Sequence, residues 1–330
     1  LEFRRVLFRS ISEEYGSYCK EWAAAKENRF AVLPNHKINY AYHFDAGMYA
    51  RLLRAISEKH GVVRTEGKVV DVHLDSESGY IKSVQLESGD QIEGELFIDC
   101  SGFSRSMIQN LKQSHFVKTK RLLCDRAIAG RINSKKETVL APYTHAKALS
   151  SGWMWKIPLQ SRMGVGYVYS SQFLSEEQAL EEWQNACAFK IDPASIKHLK
   201  FEAGYLDRPW VANCLAIGLS AGFLEPLEAT GLFFIQKSIR LLCSLLTQSK
   251  GKGAYLHPSL ATMYNTNVQE DYRELEEFLL SHYSLSQRQD TAFWKHVSSI
   301  PHRGEYVRRQ EAGPSIFGRT TWSTLQRGMG

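Results

Sequence analysis

A short apolar strand that passes through a glycine-punctuated turn into a long apolar helix constrains this chain more than any other segment. Cys214-Leu215-Ala216-Ile217 leads into Gly218-Leu219-Ser220-Ala221-Gly222 and then Phe223-Leu224-Glu225-Pro226-Leu227-Glu228-Ala229-Thr230-Gly231. The apolar residues that follow predict a helix over 232–248. Glycines let a backbone approach a ligand where a Cβ would collide. At the head of the helix, the amides of Thr230 and Gly231 suit an anion, because unpaired N–H groups and the helix dipole act together there. Glu228 beside them has two readings. It is a carboxylate tied to that anion by a cation or a proton transfer, or a first-turn acid that the dipole favours on its own.

Upstream, Asp45 precedes Met48, Leu52, Leu53 and Ile56 at helical spacing, and Gly61 supplies a stop, which predicts a helix over about residues 46–59. From Gly67 the pattern becomes alternating and β-branched. Val69 to Leu74, Tyr80 to Leu86 and Gln91 to Ile98, separated by Ser-Gly and Gly-Asp turns, read as a meander ending in Asp99-Cys100-Ser101-Gly102. Residues 153–171 form an aromatic block suited to a second sheet. Trp153 and Trp155 stand at i and i+2 on its first strand and face one side, as core packing or as a ligand wall, and for an isolated pair packing is the ordinary reading. Glu176 to Trp183 reads as an amphipathic helix. Lys250 to Gly253 reads as a basic linker, and the rest as helical, most clearly over Tyr272 to His282. His43 and His282 read as packed or capping histidines.

Composition excludes several classes. With 330 residues and 43% hydrophobic content, the chain can bury a large core and offset its ordering entropy. The 41 Lys+Arg against 35 Asp+Glu are spread thinly, without the clustered basic face that nucleic acid requires. The six cysteines lie far apart, with no CxxC pair, so neither a structural metal nor a disulfide framework is expected, and a reducing cytoplasm is. Apolar runs such as 241–246 are shorter than a bilayer span, so no membrane partner is expected. Residues 1–10, with three arginines and no cap or turn signal, are expected to be a non-native tail.

Taken together, several segments resemble one family. Trp153-Met154-Trp155-Lys156-Ile157-Pro158 matches the WxWxIP signature of flavin-dependent halogenases, and Gly218 to Gly231 is similar to that family's flavin and halide segment with its Glu-Pro-Leu-Glu-x-Thr-Gly core. His43 to Tyr49, Phe97 to Phe103 and Asp290 to Trp294 follow in the order of the tryptophan-halogenase branch. The resemblance covers nearly all of residues 11–305. It implies a mixed α/β (α+β) fold like that of FAD-binding flavoprotein monooxygenases, without its first βαβ unit: residues 11–249 as an FAD- and halide-binding core with an inserted substrate sheet, and 250–330 as an incomplete helical C-terminal part covering the substrate.

The resemblance also implies a chemistry. A separate flavin reductase supplies FADH2, which with O2 oxidises chloride or bromide, and hypohalous acid then travels through a tunnel to a lysine that directs it onto an electron-rich aromatic such as tryptophan or another indole. By the same carry-over, Thr230 and Gly231 bind the halide and Glu228 is the acid/base group. Gly218, Leu219, Ala221, Gly222, Pro226 and Leu232 line the isoalloxazine, and Val69 meets the adenine end. Trp153, Trp155 and Pro158 wall the tunnel, keeping oxidant generation apart from its use. Tyr283, Gln289, Phe293 and Trp294 are the substrate residues, with Phe293 and Trp294 able to sandwich an aromatic ring. Homodimers occur in the family.

Two departures matter. The family's GxGxxG unit and its catalytic lysine have no counterpart in the 330 residues, so this chain is expected to bind FAD poorly and to halogenate nothing by itself. Gln289 stands where tryptophan-specific members carry an acid, and it cannot pair with an ammonium, which favours an aromatic without that charged handle. A flavoprotein hydroxylase and a non-catalytic flavin-fold fragment are the alternatives. Leu219, where hydroxylases usually place Asp, speaks against the first.

Overall fold

The computed structural model describes residues 7–8, 23–25, 27–29, 40–133, 140–187, 191–249, 257–302, 315–317, 321–322 and 325. The architecture is mixed α/β, built around a six-stranded sheet with helices on both faces. Its strands are β1 (Leu7–Phe8), β7 (Arg126–Asn133), β8 (His145–Leu149), β9 (Gly152–Pro158), β10 (Arg162–Tyr169) and β11 (Lys197–Lys200), in the order β1-β8-β9-β10-β7-β11. Leu7 and Phe8 fall in the stretch read as a non-native tail, yet they pair in parallel with His145 and Ala146.

The aromatic block folds as the β9–β10 pair, with Trp153 opposite Val168 and Trp155 opposite Gly166. Strand alternation sends its side chains to two cores. Trp153, Val168 and Ala127 point toward the C-terminal helices, whereas Met154, Tyr167 and Ile128 pack against α2 (Glu176–Ala186). The acidic stretch forms this α2 because Ser175 and Gln178 close a capping box over its first turn. A Cβ at Gly166 would overlap the Trp155 ring, so only a glycine opposite Trp155 lets that ring lie flat on the neighbouring strand.

The meander forms as β2 (Val69–Leu74), β3 (Ile81–Leu86) and β4 (Gln91–Glu93). Its expected third strand, 91–98, is divided. After β4 the chain breaks, and β5 (Phe97–Asp99) joins a different sheet, parallel to β14 (Cys214–Ala216), with β13 (Trp210–Val211) on the far side. Asn213 enforces the division. Its backbone carbonyl accepts from Phe97 N–H, while its side chain accepts from Ile81 N–H and donates to the Ile81 carbonyl, each at 2.8 Å. A third small sheet consists of β6 (Phe116–Lys118), β12 (Gly204–Leu206) and β15 (Gly222–Phe223).

The long apolar helix begins two residues earlier than predicted, as α3 (Thr230–Gln248), and packs with α4 (Pro258–Ser284) and α5 (Ala292–Ser298) into the largest core. By length and composition α3 could cross a membrane, but its Phe234, Leu242 and Leu245 are buried in that core beside Tyr264 and Tyr272. Lys237 of α3 pairs with Asp271 of α4 at 2.5 Å. On α4 the buried carboxyls of Glu276 and Glu277 bond Thr119 and Arg121. The basic linker at 250–253 lies outside the described residues.

The helix predicted at 46–59 forms as α1 (Ala46–Lys59). Asp45 caps its first turn by accepting from Met48 N–H at 3.0 Å. Gly61 at φ +90 closes the other end, donating to the Glu58 carbonyl while Val62 donates to that of Ser57. Its apolar face is nonetheless open, since Met48 is 63% and Leu52 56% exposed and no α1 residue is buried.

Candidate functional site

Two turns meet where the parallel strands β5 and β14 end, the position at which open α/β sheets bind ligands. Gly102 follows β5 and Gly218 follows β14, both with φ near +70, a conformation natural only to glycine. Asp99 ties the turns together. Buried, it accepts from Ser101 N–H at 2.9 Å and hydroxyl at 2.6 Å, from Met107 and Ile108 N–H at 2.9 Å each, and from the Ser220 hydroxyl at 3.2 Å. Burial works against its ionisation, but these donors outweigh it and hold the carboxyl below its usual range. Leu219 (40% exposed), Leu232 (38%) and Phe103 are exposed apolar side chains, Leu219 and Phe103 on these turns and Leu232 in the first turn of α3. Ala221 is buried in the small core against which Val69 packs. Gly222 lies under Tyr205 and Tyr272, with the Tyr272 hydroxyl donating to its carbonyl at 3.1 Å.

The segment between β15 and α3 carries the backbone irregularity of the site. Glu228 (φ 65) and Ala229 (φ 52) are consecutive non-glycine residues in the left-handed region, a conformation that costs on the order of 1–3 kcal/mol per residue and persists only where the surroundings enforce it. Ala229 N–H donates to the Pro226 carbonyl at 3.0 Å. The bend delivers Thr230 and Gly231 to the head of α3, whose N-cap Ala229 has no oxygen to offer, and no described side chain caps the turn. Thr230 is buried, whereas a Cβ at Gly231 would meet nothing within 4 Å.

Three residues upstream, Glu225 is fully enclosed. Its Oε2 accepts from the Tyr283 hydroxyl at 2.5 Å and from Trp153 Nε1–H at 3.4 Å, and Cys124 Sγ lies 3.6 Å from the same hydroxyl. Its Oε1 has no hydrogen-bond partner among the described residues. Burial raises its carboxyl to about 7, with hydrogen bonding from Tyr283, Trp153 and Cys124 opposing the rise. Burial likewise pushes the Tyr283 hydroxyl and the Cys124 thiol up. Next to Tyr283 on α4, His282 Nε2 lies 3.1 Å from Glu228 Oε1, and its Nδ1 lies 2.9 Å from the Phe278 carbonyl.

The structure therefore gathers Trp153, Glu225, Glu228, Thr230, Gly231 and Tyr283 at one junction of β9, α3 and α4. Trp155 sits beside Trp153, ring centroids 5.8 Å apart, and Pro158 ends the same strand. The remaining substrate expectations fare differently. Phe293 and Trp294 do not face each other across a gap, because their rings touch edge-to-face at 5.2 Å, and Trp294 Nε1–H is bound to the Leu149 carbonyl at 2.7 Å. Both rings are consumed by packing, which leaves no room for the expected sandwich. Gln289 is exposed and donates to the Ser298 hydroxyl at 2.9 Å. Sequence reasoning passed over Glu225 and read His282 as packing. The one available signal was a carboxylate set among Phe223, Leu224, Pro226 and Leu227, where a charge must be buried or paired.

Comparison with known proteins gives this junction a setting. The family profile described as tryptophan halogenase matches residues 3–319. The tryptophan 7-halogenase KtzQ of Kutzneria sp. is 39% identical over 278 residues, which cover 83% of this chain and 51% of that protein. The tryptophan 7-halogenase RebH of Lentzea aerocolonigenes is 35% identical over 260 residues, 78% of this chain and 48% of that one. Among solved structures, a flavin-dependent halogenase from Xanthomonas campestris superposes with a TM-score of 0.88 at 35% identity, covering 98% of this chain and 66% of that one. The chain spans about half the length of the curated relatives it matches.

Proposed function

Since the chain belongs to the tryptophan halogenase family, we propose that its protein halogenates an electron-rich aromatic, an indole or similar ring without a charged handle, using FADH2, O2 and chloride or bromide. The observation that carries this reading is the bend at Glu228 and Ala229, which sets a carboxyl directly before a helix whose first-turn amides no described side chain caps. The residues on the isoalloxazine side fit a flavin: Leu219 and Leu232 are exposed apolar side chains, and glycine turns stand where β5 and β14 end. When bound there, reduced flavin with O2 supplies the oxidising equivalent that turns halide into hypohalous acid.

This chain's own residues hold, separate and move protons. The Thr230 and Gly231 amides hold the halide through N–H donation at the positive end of α3. Trp153, fixed by its bond to Glu225, and Trp155 beside it form a wall between the flavin side and the substrate side. In the halogenation step a ring carbon bonds the halogen, hydroxide leaves the hypohalous acid, and the ring loses a proton. Glu228 accepts that proton, so the balance is aromatic plus hypohalous acid giving halogenated aromatic plus water. A flavin reductase supplying FADH2 is the proposed partner.

Two measurements test the reading. Chloride titrated into this chain should broaden the chlorine NMR line, and Gly231→Pro, which removes one first-turn N–H, should weaken that binding several-fold; an unchanged response would overturn the halide site. An assay with reductase, FAD, bromide and a panel of indoles and phenols, run on the whole protein encoded by its gene, should give brominated product. Glu228→Gln should reduce that product by at least about a hundredfold. Hydroxylated product alone would sink the proposal.

A further inference from the structure

Resting on the role proposed for Glu228, we infer that His282 is its positioning residue, and that the two side chains share a single proton across the 3.1 Å between His282 Nε2 and Glu228 Oε1. The proton inventory leads there. A backbone carbonyl can only accept, so His282 Nδ1, 2.9 Å from the Phe278 oxygen, must carry hydrogen. The second ring nitrogen then faces a carboxyl oxygen. With no proton between them, two lone pairs would oppose each other where the side chains are only 3% and 12% exposed, and such a buried unsatisfied contact is costly. One proton removes the conflict, whether it rests on nitrogen or on oxygen.

The backbone strengthens the assignment. Glu228 sits at φ 65, a strained position that its surroundings must enforce, and the histidine bond reaches it from α4 across 54 residues. The other titratable groups at this end of α4 are engaged elsewhere. Tyr283 donates to Glu225 and neighbours Cys124, while Glu277 pairs with Arg121 and lies near His302. Fixed by the Phe278 carbonyl, the imidazole aims Glu228 and holds a proton that the carboxyl can take up or release, as the buried partner of a catalytic base does in other enzymes.

The test needs neither flavin nor halide, so it stands apart from the halogenation reading. In chain carrying nitrogen-15 histidine, the His282 ring signals are identified by their loss in His282→Gln. At neutral pH Nδ1 should appear protonated, and Nε2 should be displaced toward the protonated position. In Glu228→Gln the amide becomes the donor, and Nε2 should move to the shift of an unprotonated, accepting nitrogen. An unprotonated Nδ1 in the wild-type chain, its signal assigned there by ring-to-backbone correlation, overturns the inference even if neither variant folds, and so does an Nε2 shift that is the same with Glu228 and with Gln.

Discussion

The strand ends around Asp99 and the junction around Glu225 each bury one carboxyl, and they treat it in opposite ways. Asp99 collects five donors from two turns and stays ionised, its pKa lowered. Glu225 has the Tyr283 hydroxyl at 2.5 Å, the Trp153 indole at 3.4 Å and a smaller contribution from Cys124, and is raised to about 7. Burial penalises both charges, so the number and geometry of the donors decide which carboxyl remains charged. On the strand side a fixed negative charge holds two glycine turns rigid. On the helix side a carboxyl near neutrality sits between an indole and a phenol.

Replacing Asp99 would break the comparison most severely. Asp99→Asn turns an NH2 group toward donors that already lack another acceptor, and should cost about 3–5 kcal/mol in urea unfolding. Because the folded pKa of Asp99 is lowered, its stabilisation is present above the unfolded value near 3.8 and is lost as pH falls through the folded value. Glu225 has the opposite slope. Its raised pKa makes its contribution complete below the ordinary 4.5 and removes it as pH rises to about 7, a loss on the order of 3 kcal/mol. Glu225→Gln should flatten that part of the curve, so the variant gains on the wild type between pH 4.5 and pH 8 in denaturation series. A parallel offset across that window would show that Glu225 does not titrate there. The smallest effect is expected from Trp153→Phe, which deletes the weaker donor. It should cost about 1–2 kcal/mol and move the Glu225 transition slightly upward.

How much of this could be read in the residues depended on the range of the contacts. The ends of α1 were legible because Asp45 and Gly61 act on backbone atoms within one turn. The side shared by Trp153 and Trp155 followed from strand alternation alone. The division of 91–98 was not legible, because Asn213 imposes it from more than a hundred residues away. Tyr283 was singled out by motif, but its bond to Glu225, and that of His282 to Glu228, span 58 and 54 residues, a separation at which no periodicity or spacing signals a partner. The sandwich expected of Phe293 and Trp294 failed for a related reason. Motif order places two rings together but says nothing about the angle at which they pack.

The open face of α1 has a practical consequence for anyone handling this chain. In this chain taken by itself, a helix capped at both ends offers Met48, Leu52, Leu53 and Ile56 to water. Retention on phenyl resin and reversible clustering at high ionic strength should fall when Met48 and Leu52 are made polar. Mild non-ionic detergent, rather than refolding, is the remedy it calls for.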